Sequence, residues 1–194
     1  MIDLALASRA INSQFLFATR LSRLEQIRLL THHYSEIINK GLVQPPATAG
    51  GSDFMANIAL QLPENVPGDF FVDSTCIDCD ACRQIAPETF AEQSDASIVF
   101  HQPETEEETK RALMALVACP TGSIGTIEHH DAHIGIDAFP ELIADNVFYC
   151  GFNAESSFGA WSYLILRPDD EGGNVLIDSP RFATQLVKKI DAMA

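Results

Sequence analysis

Cys76, Cys79 and Cys82 fall in one short run, Cys76-Ile77-Asp78-Cys79-Asp80-Ala81-Cys82, and a fourth thiol stands far downstream in Cys119-Pro120. Thiolates are soft ligands. The spacing C-x2-C-x2-C followed by a remote C-P is one that holds a [4Fe–4S] cluster. The triplet can wrap one face of a small cube, and the distant cysteine closes it from another part of the chain. The chemistry that such a group supplies is one-electron transfer. Structural zinc is the competing reading, but zinc ligands usually come as two separated pairs, and here three crowd together. A disulfide framework fits less well. Five cysteines in 194 residues are too few for a stapled mini-domain, and no stretch reads as a secretory signal.

The spacing also predicts how many clusters there are. In two-cluster ferredoxins the triplet is followed after three residues by Cys-Pro, whose thiol serves the other cluster. Ala86-Pro87 stands at that place here, and no second triplet precedes Cys119. One [4Fe–4S] cluster is expected, with Cys76, Cys79, Cys82 and Cys119 as its ligands.

These cysteines need elements to hold them. Phe70-Phe71-Val72 predicts a short strand leading to the first ligand, and Arg83 to Phe90 one or two helical turns interrupted by Pro87. Ser97 to Phe100 predicts a strand. Thr105 to Val117 predicts the best helix in the chain. Thr105 and Glu108 form a capping box, and Glu106, Glu107 and Glu108 favour the positive end of the dipole. Leu113, Leu116 and Val117 share a face at helical spacing. Pro120 ends that helix and turns Cys119 towards the triplet. Ser123 to Ile127 reads as a closing strand, and Ile77 and Ile124 as apolar cover for the sulfurs.

The stretch from Gly68 to Ile127 resembles a single-cluster bacterial-type ferredoxin. The likeness is carried by the triplet, by Ala86-Pro87-Glu88-Thr89-Phe90, and by Cys119-Pro120-Thr121-Gly122-Ser123-Ile124. It implies a ferredoxin-like βαββαβ core with the cluster near one end.

Further on, Asn146–Phe152, Ser162–Leu166 and Asn174–Asp178 predict strands, the last two joined by the turn at 168–173. A helix from about Arg181 to Met193 follows, with Pro180 at a favoured first position. Ala160-Trp161-Ser162-Tyr163-Leu164-Ile165 and Asn174-Val175-Leu176-Ile177-Asp178-Ser179-Pro180 look like the start of a metallo-β-lactamase-fold hydrolase. That resemblance implies a partial αββα layer whose metal motif, H-x-H-x-D-H, does not occur in this sequence. An orphaned sheet with open apolar surface is then expected over Phe148, Trp161, Tyr163, Leu164, Ile165, Val175 and Ile177.

The fold class expected is α+β. Residues 1–54 are expected as an N-terminal extension, 55–130 as the ferredoxin domain, 131–144 as a linker, and 145–194 as the incomplete hydrolase-like part. In the extension, Leu21 to Lys40 predicts an amphipathic helix and Gln44 to Ser52 a flexible linker. It reads as upstream sequence from an early start, as an organelle presequence, or as a partner-binding helix.

The formal charge of −15 is unevenly spread. Residues 1–54 carry five basic and four acidic side chains, the remainder seven and twenty-three. An acidic body argues against nucleic acid and anionic membranes as partners, and suits a redox partner with a basic docking face. The apolar runs are too short to span a bilayer.

Other chemistry-bearing residues have plainer readings. His129-His130-Asp131-Ala132-His133 lies in a polar stretch, Cys150 reads as a buried small hydrophobe, and Ser156 and Ser157 lack a nucleophile elbow. Two functions remain. One is an electron-transfer or redox-sensing iron–sulfur module in a reducing compartment, cytoplasm or organelle stroma. The other is the N-terminal fragment of a metal-dependent hydrolase with an accessory ferredoxin, its partner being the rest of its own domain. No enzyme activity is expected of the chain as given.

Overall fold

The computed structural model describes residues 56–193, which fall within one compact unit, Ala49–Ala194. The expected Leu21–Lys40 helix and the linker after it lie outside the described residues. The architecture is a mixture of small antiparallel sheets and several helices, consistent with α+β.

Strand β1 (Phe70–Val72), helix α1 (Ala81–Ile85), strands β2 (Phe90–Gln93) and β3 (Ala96–Val99), helix α2 (Glu106–Ala118) and strand β4 (Ile124–Thr126) follow in order. β1 pairs antiparallel with β4, with Phe71 opposite Gly125. β2 and β3 form a hairpin, with Ala91 opposite Ile98. The expected helical stretch from Arg83 is cut short. α1 ends at Ile85, before Pro87, and Phe90 already belongs to β2, where it is buried.

No strand ladder joins the two small sheets; Asn65 does the joining. Its side-chain oxygen accepts from the backbone N–H of Val72 at 3.1 Å and of Val99 at 2.9 Å, and its amide donates to Leu62 and Val72 carbonyls. A buried amide that uses both its ends this way satisfies backbone groups that would otherwise be orphaned.

α2 begins as its sequence predicts. The Glu108 N–H donates to Thr105 Oγ1 at 3.1 Å, and the Thr105 N–H donates to the Glu108 carboxylate at 3.1 Å. Ala112 to Ala115, Val117 and Ala118 are buried. The helix stops at Cys119, whose N–H donates to Ala115, because Pro120 offers no N–H to continue the ladder.

The stretch expected as a linker carries structure. Helix α3 (His133–Asp137) packs on α2 so closely that a Cβ on Gly135 would stand 2.5 Å from the Leu113 carbonyl oxygen. Only glycine permits that approach. Strand β5 (Glu141–Ala144) then opens a four-stranded antiparallel sheet with β6 (Val147–Tyr149), β7 (Tyr163–Ile165) and β8 (Val175–Ile177). The three expected strands and the hairpin through 168–173 are present, and β5 is additional.

Helix α4 (Thr184–Met193) starts three residues later than the sequence suggests. Arg181 is drawn off instead, with its backbone N–H on the Phe152 carbonyl at 2.7 Å. From α4, Lys189 Nζ donates to the carbonyls of Asp137 at 2.8 Å and Phe139 at 3.0 Å, closing the end of α3.

The expected orphaned layer is corrected by the packing. Phe70, Val72, Ile85, Phe90, Val99 and Leu113 share one buried core with Phe139, Tyr149, Cys150, Phe152, Leu164 and Leu186. Tyr149 stacks on Trp161 at 4.1 Å and meets Phe139 edge-on at 5.4 Å. Exposed apolar side chains do remain on the edge strands, at Leu142, Ile143, Leu176 and Ile177. Among the described residues no helix is long and apolar enough to cross a membrane.

Candidate metal centre

The loop from Cys76 to Cys82 is held in an unusual backbone shape. Asp78 has φ 53° and Asp80 φ 66°, the left-handed region that side chains other than those of Gly, Asn and Asp rarely adopt. Arg83, on α1, holds both. Its Nε donates to Asp80 at 2.5 Å, and its Nη1 donates to Asp78 at 2.6 Å and to Ser97 on β3 at 3.0 Å. Bonds to Gln84 and Arg83 keep the Asp80 carboxyl below its usual range, although burial pushes the other way. One side chain thus anchors the triplet loop to the sheet behind it.

Cys76, Cys79, Cys82 and Cys119 line one pocket. Val72, Ile77, Ala81 and Ile124 form its apolar walls, with Ser97, Thr121 and Ser123 between them. It contains about 320 Å³ of free space, its open mouth included. Among the described residues no carboxylate or imidazole lines it. Burial pushes the Cys82 thiol up to about 12, against a hydrogen bond with Ser97, and the neighbouring cysteines push the same way. Burial also raises Cys79, against a hydrogen bond from the Ala81 backbone. A metal binding here has to displace those protons.

The four thiols are not drawn to a single point. Among the described residues no three His, Cys, Asp or Glu side chains are gathered as they would be around one metal ion. A four-iron cube presents a separate iron to each thiolate, so its ligands need to face one pocket and not one atom. The donor set, four soft sulfurs in apolar walls, suits an iron–sulfur group.

A row of hydroxyls runs to the fourth cysteine. Thr75 Oγ1 donates to Asp73 at 2.5 Å and lies 2.7 Å from Ser123 Oγ. Ser123 Oγ is 2.6 Å from Thr121 Oγ1, which is 3.7 Å from Cys119 Sγ. Asp73, almost wholly buried, also accepts from the Asn57 and Thr75 backbone N–H groups.

The second half of the chain reaches the same place twice. A Cβ on Gly159, which has φ 77°, would stand 2.6 Å from Cys79 Cβ and 3.0 Å from its sulfur. Arg181 Nη1 donates to the Cys119 carbonyl at 2.9 Å and to Asn153 at 3.1 Å, while Nη2 donates to Val117 at 2.6 Å. Its guanidinium also lies 5.5 Å from the Phe152 ring centre.

The sequence-predicted ligands therefore share one pocket, and Ile77 and Ile124 line it as expected. Cys150 is fully buried in the common core and does not line it. The histidine cluster is dispersed. His130 pairs with Asp69 at 2.6 Å, and His129 and His133 are exposed. Arg83, Gly159 and Arg181 were not foreseen. The two aspartates flanking Cys79, with an arginine just after the triplet, were the available signal for Arg83. Gly159 and Arg181 left none.

Residues 72–126 match the family described as the 4Fe-4S single cluster domain of Ferredoxin I. This stretch, well under half of the chain, is of the iron–sulfur ferredoxin type. No curated protein and no solved structure matches the chain. The resemblance to a metallo-β-lactamase-fold hydrolase finds no support in any comparison.

Proposed function

We propose that this chain is a ferredoxin-type electron-transfer protein that binds one [4Fe–4S] cluster through Cys76, Cys79, Cys82 and Cys119. The reading rests on the convergence of all four motif cysteines on one apolar pocket. When bound, the cluster accepts and releases one electron. The chain's own residues hold and shield it. Arg83 fixes the triplet loop, Pro120 turns Cys119 inward, and Ile77, Ile124 and Gly159 limit the access of water. The thiols need a reducing compartment, which favours the cytoplasm or an organelle stroma. The acid excess over residues 55–194 suits a donor or acceptor with a basic docking face.

The test is anaerobic reconstitution of the full chain, followed by metal and labile-sulfide analysis. The expected result is about four irons and four sulfides per chain. Stoichiometric zinc without labile sulfide would overturn the reading, and about eight irons would overturn the single-cluster count.

A further inference from the structure

We infer that Arg181 is a built-in counter-charge for the candidate cluster, a positioning residue whose guanidinium on the Cys119 corner raises the reduction potential. The inference deepens the iron–sulfur reading above and rests on it.

The observation behind it is a cation without an acid. Sequence and charge make this unusual, because the chain carries 27 Asp and Glu against 12 Lys and Arg. Three other partly buried cations that tie the fold together have found carboxylates, whereas Arg167, also partly buried, donates to the Glu171 carbonyl. Arg83 pairs with Asp78 and Asp80, Arg111 with Glu141, and Lys189 with Asp137. Arg181 is half-buried and has no carboxylate within ion-pair distance among the described residues. Its hydrogen bonds all go to carbonyls: Val117, Cys119 and Asn153.

Two of those carbonyls, Val117 and Cys119, belong to the last turn of α2 and its cap. The negative end of a helix dipole favours a cation there. That explains why an arginine is tolerated, but not why no acid accompanies it. Removing a cation from water is costly unless an opposite charge compensates. An anionic group held by four thiolates, one of them Cys119 itself, would supply that compensation. The same interaction works in reverse. Reduction adds one electron, from an external donor, to a group that is already negative. A fixed positive charge in a poorly solvated setting makes that addition easier.

A structural cap and a counter-charge make different predictions. Glutamine at 181 keeps amide donors for the carbonyls and loses the charge. Lysine keeps the charge and loses the planar fork. The experiment is a dithionite titration of the reconstituted full chain, with mediators, followed by electron paramagnetic resonance, for wild type, Arg181→Gln and Arg181→Lys.

At the wild-type midpoint, Arg181→Gln should show a ratio of oxidised to reduced cluster about tenfold higher, a fall of about 59 mV for a one-electron couple. Arg181→Lys should stay within about threefold of wild type. An unchanged midpoint in Arg181→Gln overturns the inference, and so does an equal fall in both variants. If Arg181→Gln loses its iron while Arg181→Lys keeps iron and midpoint, the charge is required and the inference stands. Loss of iron in both makes Arg181 a packing residue and overturns it. A wild-type chain with no iron–sulfur signal overturns the reading beneath, before any variant is compared.

Discussion

Two arginines serve the two parts of the proposed ligand set, and they differ in the company they keep. At the triplet loop, Arg83 is matched by two aspartates that come from the loop itself, one on each side of Cys79. At the Cys119 corner, Arg181 arrives from a distant part of the chain and meets carbonyls and the Phe152 ring but no carboxylate among the described residues. The first arrangement is local. It organises a backbone with two left-handed residues and leaves that patch net negative. The second is long-range and leaves a net positive charge beside the remaining ligand. On the inference above, one site contains an arginine that shapes and an arginine that charges. Only the first sits close enough in sequence to its partners to be suspected from the motif.

The largest effect should come from the ligands themselves. Cys119→Ala should abolish or severely reduce the cluster signal, because one iron loses its thiolate. Cys150→Ala should leave iron content unchanged and cost about 1 kcal/mol or less of stability through a small cavity. Iron analysis of the two variants decides it. Retention in the first with loss in the second would reverse the ligand assignment and end the comparison between the two corners.

Gly159→Ala should come next. The added Cβ meets Cys79 at distances no packing tolerates, and φ 77° is strained for alanine. A loss of about 1–3 kcal/mol in the unfolding free energy of the loaded chain is expected, together with faster release of iron to a chelator. Unchanged release would show that the loop at 159 does not cover the Cys79 side of the pocket.

Arg83→Gln should follow, at about 1–2 kcal/mol, since its partners are partly solvated. The loop then has to hold its two left-handed aspartates unaided. If Arg83 mainly shapes the loop, Asp80→Gly in the same background should recover part of the loss, because glycine adopts positive φ freely. Denaturant unfolding of single and double variants reads this directly. No recovery would place Arg83's contribution in charge, as for Arg181.

The smallest effect tests α2 at its other end, where acids and not a cation meet the dipole. Hydrogen bonds from the Glu104 and Thr105 backbone, with help from His101, hold the Glu108 carboxyl below its usual value. A depressed carboxyl contributes stability above its unfolded value of about 4.3, and that contribution is lost as pH falls through the folded value. The gap in melting temperature between wild type and Glu108→Gln should therefore be widest near neutral pH and close below about pH 4. A gap independent of pH would mean that the cap works through hydrogen bonding alone.

Local signals were legible. Thr105 with Glu108, the proline after Cys119 and the hairpin through 168–173 all rest on residues a few positions apart, and all appear in the fold. β2 escaped because Phe90-Ala91-Glu92-Gln93 has little strand character, and its turn, with Ser94 at φ 56°, lacks an Asn-Gly or Asp-Gly pair. β5 escaped although Asp145-Asn146 does offer a tight-turn signal before β6. The common core escaped for a different reason. Nothing in the pattern of residues 131–193 says which surface they cover, and a sheet with apolar faces invites the idea of a missing partner layer. The partner was α2 and its neighbours, reached through Gly135 and Lys189. Arg181 was hidden in the same way, since Ser179-Pro180 reads as a helix start until the arginine's long-range bonds are seen.

The Arg181–Cys119 contact spans 62 residues of sequence, and that gives the site a chronology. At about 5–20 residues per second, the ribosome finishes Cys119 roughly 3–12 s before Arg181. All four cysteines are therefore synthesised before the glycine that abuts Cys79 and before the cation that sits on Cys119. Iron and sulfide delivered during that interval meet a pocket with its Cys79 side open. Delivered afterwards, they would meet one whose Cys79 side is approached by Gly159. Nascent chains released at position 150 and at position 194 should thus differ in how fast they load, and the shorter chain should be the quicker.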